Sequence, residues 1–344
     1  MDNNKEVLLR VENLCQYFGP VKAVDDVTFD IKKGEVFGLV GESGCGKTTT
    51  GRSIIKIYDI TSGSIYFKGK RICAGTKAYR NEIAQLRKDK NPENAEANKA
   101  RIAQLRKEIR QAKKDHAASG MVTDIQMIFQ DPIASLNPRM TVKEIVSEGL
   151  VIQGEKDPKV IEEKVYKILE LVGLVREHAG RYPHEFSGGQ RQRIGIARSV
   201  IMHPELLIAD EPISALDVSI QAQVINLLNE LRETLDLTIL FIAHDLSVVK
   251  YFSDRIGVMY FGKMVELAPA DELFAHPLHP YTKSLLSAIP LPDPRSEKKR
   301  TRITYNAEAS HDYSVDKPTM REITPGHFVY CNDAEAQAYL EELG

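Results

Sequence analysis

One eight-residue loop constrains the fold of this chain more than any other feature. Residues 41–48 read GESGCGKT and match the pattern G-x-x-x-x-G-K-[ST] at every position. Glycines at these positions let successive backbone N–H groups turn inward around phosphate oxygens. In the same pattern Lys47 reaches the β and γ phosphates, and the Thr48 hydroxyl ligates Mg²⁺. We therefore predict a phosphate-binding loop; the alternative is a glycine-rich turn with a chance lysine.

The sequence around this loop predicts an α/β fold. Residues 35–40 are typical of a buried strand, and residues 49–57 predict a helix whose N-terminus favours an anion. From Phe37 to Ile242 apolar strands alternate with helical stretches, such as the amphipathic Val160–Val172, which predicts a mostly parallel sheet. Apolar and polar residues alternate over 7–31, and 64–69 reads as a further strand.

Composition excludes several classes of protein. The net charge of −2 provides no global basic field, so we expect no nucleic acid partner. We find neither an apolar run long enough to span a bilayer nor an apolar signal segment, and expect a soluble chain. Cysteines 15, 45, 73 and 331 are scattered without a CxxC pair, which argues against a disulfide framework or a zinc site.

The chain is expected to contain one large domain and a tail. Residues 1–292 form the predicted nucleotide-binding domain, including a helical subdomain at about 131–190. A proline-rich run, 290–294, ends it. Residues 293–344 are polar and weakly periodic, so we expect an irregular extension.

Residues 77–116 predict an inserted helical hairpin. Ile83–Lys88 recurs as Ile102–Lys107, and Asn91-Pro92 between the copies predicts a turn. The excess of Lys and Arg is compatible with an arm that docks a partner or anionic lipid headgroups. We favour the alternative of a tolerated, solvated insertion, because insertions in surface connections cost little. We expect neither phosphate chemistry nor core packing to require the hairpin.

Two carboxylates follow a predicted buried strand. Leu206–Ala209 is apolar and is followed directly by Asp210 and Glu211. A parallel strand places them at its carboxyl end, at the same edge as the phosphate loop. Asp210 is predicted to hold the Mg²⁺ shell, and Glu211 to polarise the attacking water as general base.

Ser187-Gly188-Gly189-Gln190, preceded by Phe186, resembles the signature of ABC-transporter ATPases. In that family the signature opens a helix and presents its N-terminus to a γ-phosphate bound on another subunit. The leading Leu of the family motif is Phe186 here, at a position expected to pack.

The remaining family motifs follow in order. Gln130 resembles the Q-loop, which senses Mg²⁺ and water, and residues 214–217 resemble the D-loop, which ends at Asp217. His244 resembles the switch histidine that contacts the γ-phosphate. Phe18, with Tyr17 second, resembles the aromatic residue that stacks on adenine; a buried core aromatic is the alternative.

Further motifs narrow the resemblance, which covers about residues 7–292. Residues 130–139 and the sequence HPYTK at 279–283 are similar to the oligopeptide, dipeptide and nickel importers. Residues 182–186 resemble the second ATPase of each importer pair. The hairpin is longer than the usual link there, and the tail keeps only Cys331, so we expect no metal cluster.

The resemblance implies a P-loop NTPase (RecA-like) core with an antiparallel β subdomain and a helical signature subdomain. It implies ATP and Mg²⁺ as ligands and peptide import as function, at the cytoplasmic face of the membrane. The implied partners are a related ATPase in a head-to-tail dimer, two permeases and an extracytoplasmic binding protein. Peptide, nickel and other cargo cannot be separated here.

The sequence disfavours two other functions. ABC ATPases that act on ribosomes or DNA usually carry two cassettes or a very long coiled coil, whereas this chain has one cassette. A catalytically silent subunit is also disfavoured, because Lys47, Asp210, Glu211 and His244 are all intact.

The predicted site residues fall into three groups. The predicted nucleotide ligands are Phe18, Tyr17, Gly41, Glu42, Ser43, Gly44, Cys45, Gly46, Lys47, Thr48, Thr49, Ser187, Gly188, Gly189, Gln190 and Asp217. The predicted metal ligands are Thr48, Gln130 and Asp210, and the predicted catalytic residues are Glu211, His244 and Gln130.

Overall fold

The computed structural model describes residues 6–89, 91, 94–118, 123–214, 216–289 and 302–343. The chain divides into two units. The first comprises Met1–Lys33, Gly44–Met121 and Phe261–Lys263, and the second comprises Gly34–Ser43, Val122–Tyr260 and Met264–Gly344. Each unit is made of several chain segments, and the second contains both part of the predicted domain over 1–292 and the C-terminal residues.

The first unit contains a four-stranded antiparallel sheet in the order β2-β1-β4-β5. Its strands are β1 (Val7–Phe18), β2 (Val21–Lys32), β4 (Ser62–Phe67) and β5 (Lys70–Ala74), and helix α1 is Lys47–Ile54. Leu9 pairs with Ile31 and Phe67, and all three side chains are buried. The alternation over 7–31 thus gives one apolar face, which confirms the antiparallel strands predicted there.

The inserted hairpin is present, as helices α2 (Lys77–Lys88) and α3 (Ala95–Ala118). Lys90, Pro92 and Glu93 in its turn lie outside the described residues. α3 packs against β5, and Leu105 is completely buried. Arg71 on β5 forms an ion pair of 2.6 Å with Asp115 on α3. The expectation that core packing does not involve the hairpin is therefore wrong, because α3 covers the edge strand of the sheet.

The second unit is organised around an eight-stranded sheet in the order β11-β12-β10-β9-β3-β8-β7-β6. Five neighbouring strands, in the spatial order β9-β3-β8-β7-β6, pair in parallel. Their bounds are β3 (Val36–Val40), β6 (Ile125–Ile128), β7 (Leu206–Asp210), β8 (Thr238–Ala243), β9 (Arg255–Tyr260), β10 (Lys263–Pro269), β11 (Thr319–Thr324) and β12 (His327–Cys331).

Helices surround this sheet and bury its central strands, so β3, β7 and β8 are buried along their whole length. On α6, Val165, Ile168 and Leu169 are buried, which confirms the predicted amphipathic face. The helices are α4 (Pro132–Ser135), α5 (Val142–Ile152), α6 (Pro158–Leu171), α7 (Gly188–Val200), α8 (Val218–Leu235), α9 (Leu246–Phe252), α10 (Ala270–Ala275), α11 (Pro280–Ser287), α12 (Ala307–Ser310) and α13 (Asp333–Leu343), with 3₁₀ turns at Arg176–Gly180 and Pro183–Glu185.

The expectation of an irregular extension over 293–344 is wrong for residues 302–343. β11 and β12 form a hairpin, and β12 extends the sheet by pairing with β10. Pro325 and Gly326 connect the two strands, and Gly326 has a φ of 81°, as the third residue of a type II turn requires. Val329 and Cys331 are fully buried beneath α13. The strands are short, so their alternation was too brief to recognise.

A buried polar group fixes this C-terminal region to the sheet. The Glu266 carboxylate on β10 is inaccessible to solvent and accepts hydrogen bonds from the backbone N–H groups of Leu278 and His279, at 2.8 and 3.1 Å. It also contacts Nε2 of His327, at 2.8 Å. His279 in turn accepts a hydrogen bond at Nδ1 from the N–H of Tyr281 (3.1 Å) and so caps α11. Burial, with a smaller contribution from His311, lowers the pKa of His279 to about 3.

We expect this depressed pKa to make the protein less stable in mild acid. Between pH 6.5 and about 3 the unfolded chain binds a proton at residue 279 that the folded chain does not, so stability falls as the pH falls. From pH 7 to pH 5 His279 should account for a loss of about 2 kcal/mol. His279→Asn keeps a capping acceptor without titrating and should remove that part of the loss, measured by denaturant unfolding at both pH values. The exposed His203, changed to Asn, is the control; an equal effect there would contradict the assignment.

Candidate functional site

The phosphate loop has the strand–loop–helix context predicted from the sequence. β3 ends at Val40, and the chain passes from the second unit to the first between Ser43 and Gly44. Gly46 has a φ of 107° directly before α1, a conformation that favours glycine. Lys47 and Thr48 are the first residues of α1, so they lie at its positively polarised end. The loop thus offers backbone N–H groups and a helix N-terminus to an anion.

Cys45 packs within this loop. Its side chain is buried, and its Sγ lies 3.7 Å from Nζ of Lys47. Burial raises the pKa of the Cys45 thiol, and the opposing effect of the Lys47 charge is smaller. The thiol is therefore protonated at neutral pH and acts as a small packing group.

Four neighbouring parallel strands bring Gln130, Asp210, Glu211 and His244 to one edge of the sheet. Val40 pairs with Ala243, and Asp210 with Ile242, so β3, β8 and β7 end together. His244 directly follows β8, and Gln130 comes two residues after β6. The carboxyl ends of parallel strands are where open α/β sheets bind ligands.

The Glu211 side chain contacts two other predicted site residues at this edge of the sheet. Its Oε2 accepts a hydrogen bond from Nε2 of Gln130 at 3.1 Å and lies 3.3 Å from Nδ1 of His244. The carboxylate is 13% exposed, whereas the His244 side chain is 54% exposed. The backbone of Glu211 has a φ of 46°, and its N–H donates to the carbonyl of Ile242 at 3.0 Å. Backbone strain of this kind in a non-glycine residue is concentrated at functional sites. Asp210, just before it, is completely buried at the end of β7.

The signature residues begin α7 as predicted. Ser187 accepts a hydrogen bond from the N–H of Gln190 (3.4 Å), and the Gln190 side chain accepts from the N–H of Ser187 (3.1 Å), which forms a capping box. Ser187 and Gly188 are exposed. Phe186 is 4% exposed and packs edge-to-face on His178, which confirms that this position packs.

The predicted D-loop lies between β7 and α8. Ser214 Oγ donates to the carbonyl of Glu211 at 3.1 Å, and Asp217 directly precedes α8. Ala215 lies outside the described residues. The Gln221 side chain donates to the carbonyls of Ile213 and Leu216, both at 3.1 Å. Sequence analysis missed this positioning role, because a helical glutamine has no distinctive pattern.

The two candidate adenine-stacking residues in the first unit differ in solvent exposure and in hydrogen bonding. Phe18 is 44% exposed and contacts the ring of Tyr58 edge-to-face. The Tyr17 hydroxyl donates to Asp25 at 2.5 Å, and burial together with that carboxylate raises the pKa of Tyr17. Phe18 therefore has the more accessible ring. Tyr58 was not identified from the sequence, because it lies 40 residues further along the chain.

Tyr281 is a second positioning residue that the sequence did not reveal. Its hydroxyl accepts a hydrogen bond from the N–H of Glu42, at 3.0 Å, so it directs one backbone group of the phosphate loop away from a ligand. The ring is 2% exposed and packs among Tyr260 and Tyr305. The HPYTK motif marked this segment, but no local pattern indicates a contact between residues 239 positions apart.

Comparison with known proteins agrees with this architecture. The ABC transporter family model matches residues 24–123 and 105–214, and the model of the oligopeptide/dipeptide transporter C-terminal region matches residues 265–315. The site and fold define an ATP-binding cassette. The chain belongs to the ABC transporter family and is one of its ATPases.

Individual relatives are similar over nearly the whole chain. The oligopeptide transport ATP-binding protein OppF of Bacillus subtilis is 55% identical, covering 97% of this chain and 99% of its own length. The dipeptide transport ATP-binding protein DppF of Lactococcus lactis is 50% identical, covering 93% and 91%. The solved structure of cbiO1 from Clostridium perfringens, part of the ABC transporter complex cbiONQ, has a TM-score of 0.59 and 27% identity, covering 79% and 92%. Among the described helices, none combines the length and the apolar character needed to cross a bilayer.

Tyr281→Phe tests how firmly the phosphate loop depends on its hydrogen bond. The variant keeps the ring but leaves the N–H of Glu42 without this acceptor, which costs about 0.5–1.5 kcal/mol, the net contribution of a typical hydrogen bond. We expect a corresponding fall in the free energy of unfolding and weaker ATP binding, measured by titration calorimetry. Tyr305→Phe is the matched control, because within the described residues no hydrogen bond involves its hydroxyl. Equal behaviour of the two variants would contradict the positioning role.

Proposed function

We propose that this chain binds and hydrolyses ATP to energise the uptake of oligopeptides or dipeptides through separate membrane permeases. The observation that carries the proposal is the Glu211 carboxylate, held by Gln130 and His244 where four parallel strands end. The names of the relatives and the match of the C-terminal region support peptide cargo over other substrates.

Each predicted residue has a role in this reaction. The loop 41–49 wraps the phosphates with its N–H groups, except that of Glu42, which donates to Tyr281. Lys47 neutralises the β and γ phosphates, and Phe18 stacks on adenine with Tyr17 beside it. Glu211 accepts the proton of the attacking water, and its bond to Gln130 fixes the direction of that carboxylate. His244, largely exposed beside it, donates to the γ-phosphate.

The predicted metal ligands form a donor set that suits Mg²⁺. Thr48, Gln130 and Asp210 offer hydroxyl, amide and carboxylate oxygens, and small hard cations prefer oxygen ligands. Asp210 is buried at a strand end, so its carboxylate is fixed in place. When bound, Mg²⁺ neutralises charge that develops on the phosphates.

We further propose a head-to-tail dimer with a related ATPase, at the cytoplasmic face of the membrane beside two permeases and served by an extracytoplasmic binding protein. Ser187, Gly188, Gly189, Gln190 and Asp217 then complete the site of the partner. The exposure of Ser187 and Gly188 at the start of α7 supports this role, because an exposed helix N-terminus can receive a phosphate from outside the chain.

Glu211→Gln tests both catalysis and transport. The amide keeps the size of the side chain but cannot accept a proton, so we expect ATP turnover to fall about 10²–10⁴-fold with ATP affinity retained. Uptake of a labelled peptide by proteoliposomes that contain the full complex should fall in parallel. Near-normal turnover would remove Glu211 from the role. If the wild-type complex hydrolyses ATP normally but takes up no peptide, the proposed peptide cargo is wrong.

Gly188→Asp tests the role of the signature in trans. A Cβ at Gly188 meets only Leu216, at 3.7 Å, whereas one at Gly189 would lie 2.7 Å from Ile220, so Gly188 accepts a side chain without a clash. An acidic residue at the first position of α7 suits the helix but opposes a phosphate of the partner. We expect turnover of the dimer to fall at least about 100-fold, with ATP affinity of the single chain unchanged. Gly188→Asn, of equal size, should retain most activity; equal loss in both variants would show a steric effect only.

A further inference from the structure

Charge is segregated along this chain. Residues 77–116 contain 12 of its 46 Lys and Arg but only 6 of its 48 Asp and Glu. The segment therefore carries +6, although the whole chain carries −2. The remaining residues carry −8, so the hairpin differs in sign from the rest of the molecule.

The positive charge is concentrated on one side of α3. At about 100° per residue, seven residues between 99 and 114 fall within an arc of about 120°. Six of them are exposed cations and the seventh is Ala103. We call these six the basic arc: Lys99, Arg106, Lys107, Arg110, Lys113 and Lys114.

Three described acidic residues of the hairpin lie outside the basic arc and are engaged, whereas the exposed Glu96 stands three residues before Lys99 on the same side of α3. Asp115 pairs with Arg71 on β5, Glu82 pairs with Arg101, and Glu108 accepts a hydrogen bond from Gln104 at 3.0 Å. Within the described residues, no hydrogen bond or ion pair involves a side chain of the basic arc. The arc therefore remains a continuous positive surface about 22 Å long at 1.5 Å per residue.

Such an arrangement is unfavourable for an isolated helix. Arg110 stands four residues from both Arg106 and Lys114, and like charges at this spacing repel. A solvated helix is normally stabilised by alternating opposite charges along its face. An anionic surface that lies against the basic arc would relieve this repulsion.

We propose that the basic arc binds the anionic headgroups of a lipid bilayer. The arc is rich in lysine and has no aromatic residue, unlike the core of a protein interface, where lysine is depleted. The apolar side of α3 is already packed on β5 and α2, so the helix adheres to the surface without inserting. The proposed function supplies the bilayer, because an importer ATPase works beside membrane permeases.

The test uses the purified full-length chain and lipid vesicles without any permease, so its outcome is independent of peptide transport. We expect the chain to sediment with vesicles of phosphatidylcholine and phosphatidylglycerol but not with phosphatidylcholine alone. Binding should weaken strongly from about 0.1 M to about 1 M salt, because the screening length falls from about 10 Å to about 3 Å. Changing all six residues of the basic arc to Gln should lower the partition coefficient at least about 100-fold, since each basic residue near the surface contributes up to about fivefold.

A matched variant separates the arc from net charge. It changes six exposed cations outside the hairpin to Gln, namely Lys156, Lys159, Lys167, Lys250, Arg302 and Lys317. This variant has the same net charge as the arc variant and should bind anionic vesicles like the wild type. Both variants should keep the wild-type circular dichroism and ATP turnover. Equal binding by the two variants, or no preference of the wild type for anionic vesicles, overturns the proposal. Displacement of the chain from the vesicles by an equal phosphate concentration of single-stranded RNA also overturns it, in favour of a nucleic acid surface.

Discussion

The parallel pairing of β6, β7, β8 and β3 is the constraint on which the chemistry of the second unit depends. Each strand is followed by a different motif, and the register makes all of them end at one edge. β7 and β8 are buried along their length on both faces, so a shift of one residue would exchange the side chains that pack on the two faces and disrupt the core. The hydrophobic core therefore fixes the backbone positions of Asp210, Glu211 and His244. The side-chain contacts of Glu211 then orient its carboxylate.

Glu211 shows what this rigidity permits. Its left-handed backbone turns the chain away from β7 and directs the carboxylate toward Gln130 and His244. A non-glycine residue keeps such a conformation only where its surroundings hold it. Here the N–H bond to Ile242 and the Ser214 bond to the Glu211 carbonyl hold it on both sides. Because the residue is held rigid, its carboxylate needs no reorganisation when the reaction takes place.

Local sequence patterns predicted those elements whose signature lies in a short run of contiguous residues. The phosphate loop, the strand ending at Asp210 and the helix beginning after Ser187 all have a short signature, and the structure contains each of them. The C-terminal hairpin was missed because its strands are five and six residues long and its turn was read as part of a polar tail. The packing of Leu105 and the contact of Tyr281 were missed because both join segments distant in sequence. The roles of the individual site residues remain predictions.

The bond between Tyr281 and Glu42 has a thermodynamic consequence for the whole second unit. Because the hydroxyl is supplied by α11, the free energy of the phosphate loop includes the folding of the C-terminal region. Linkage is reciprocal, so a nucleotide that orders the loop must protect α11 to the same extent that α11 strengthens nucleotide binding. The segment after β10 is thus an energetic part of the nucleotide site, and its amide protons should report on ATP from a distance.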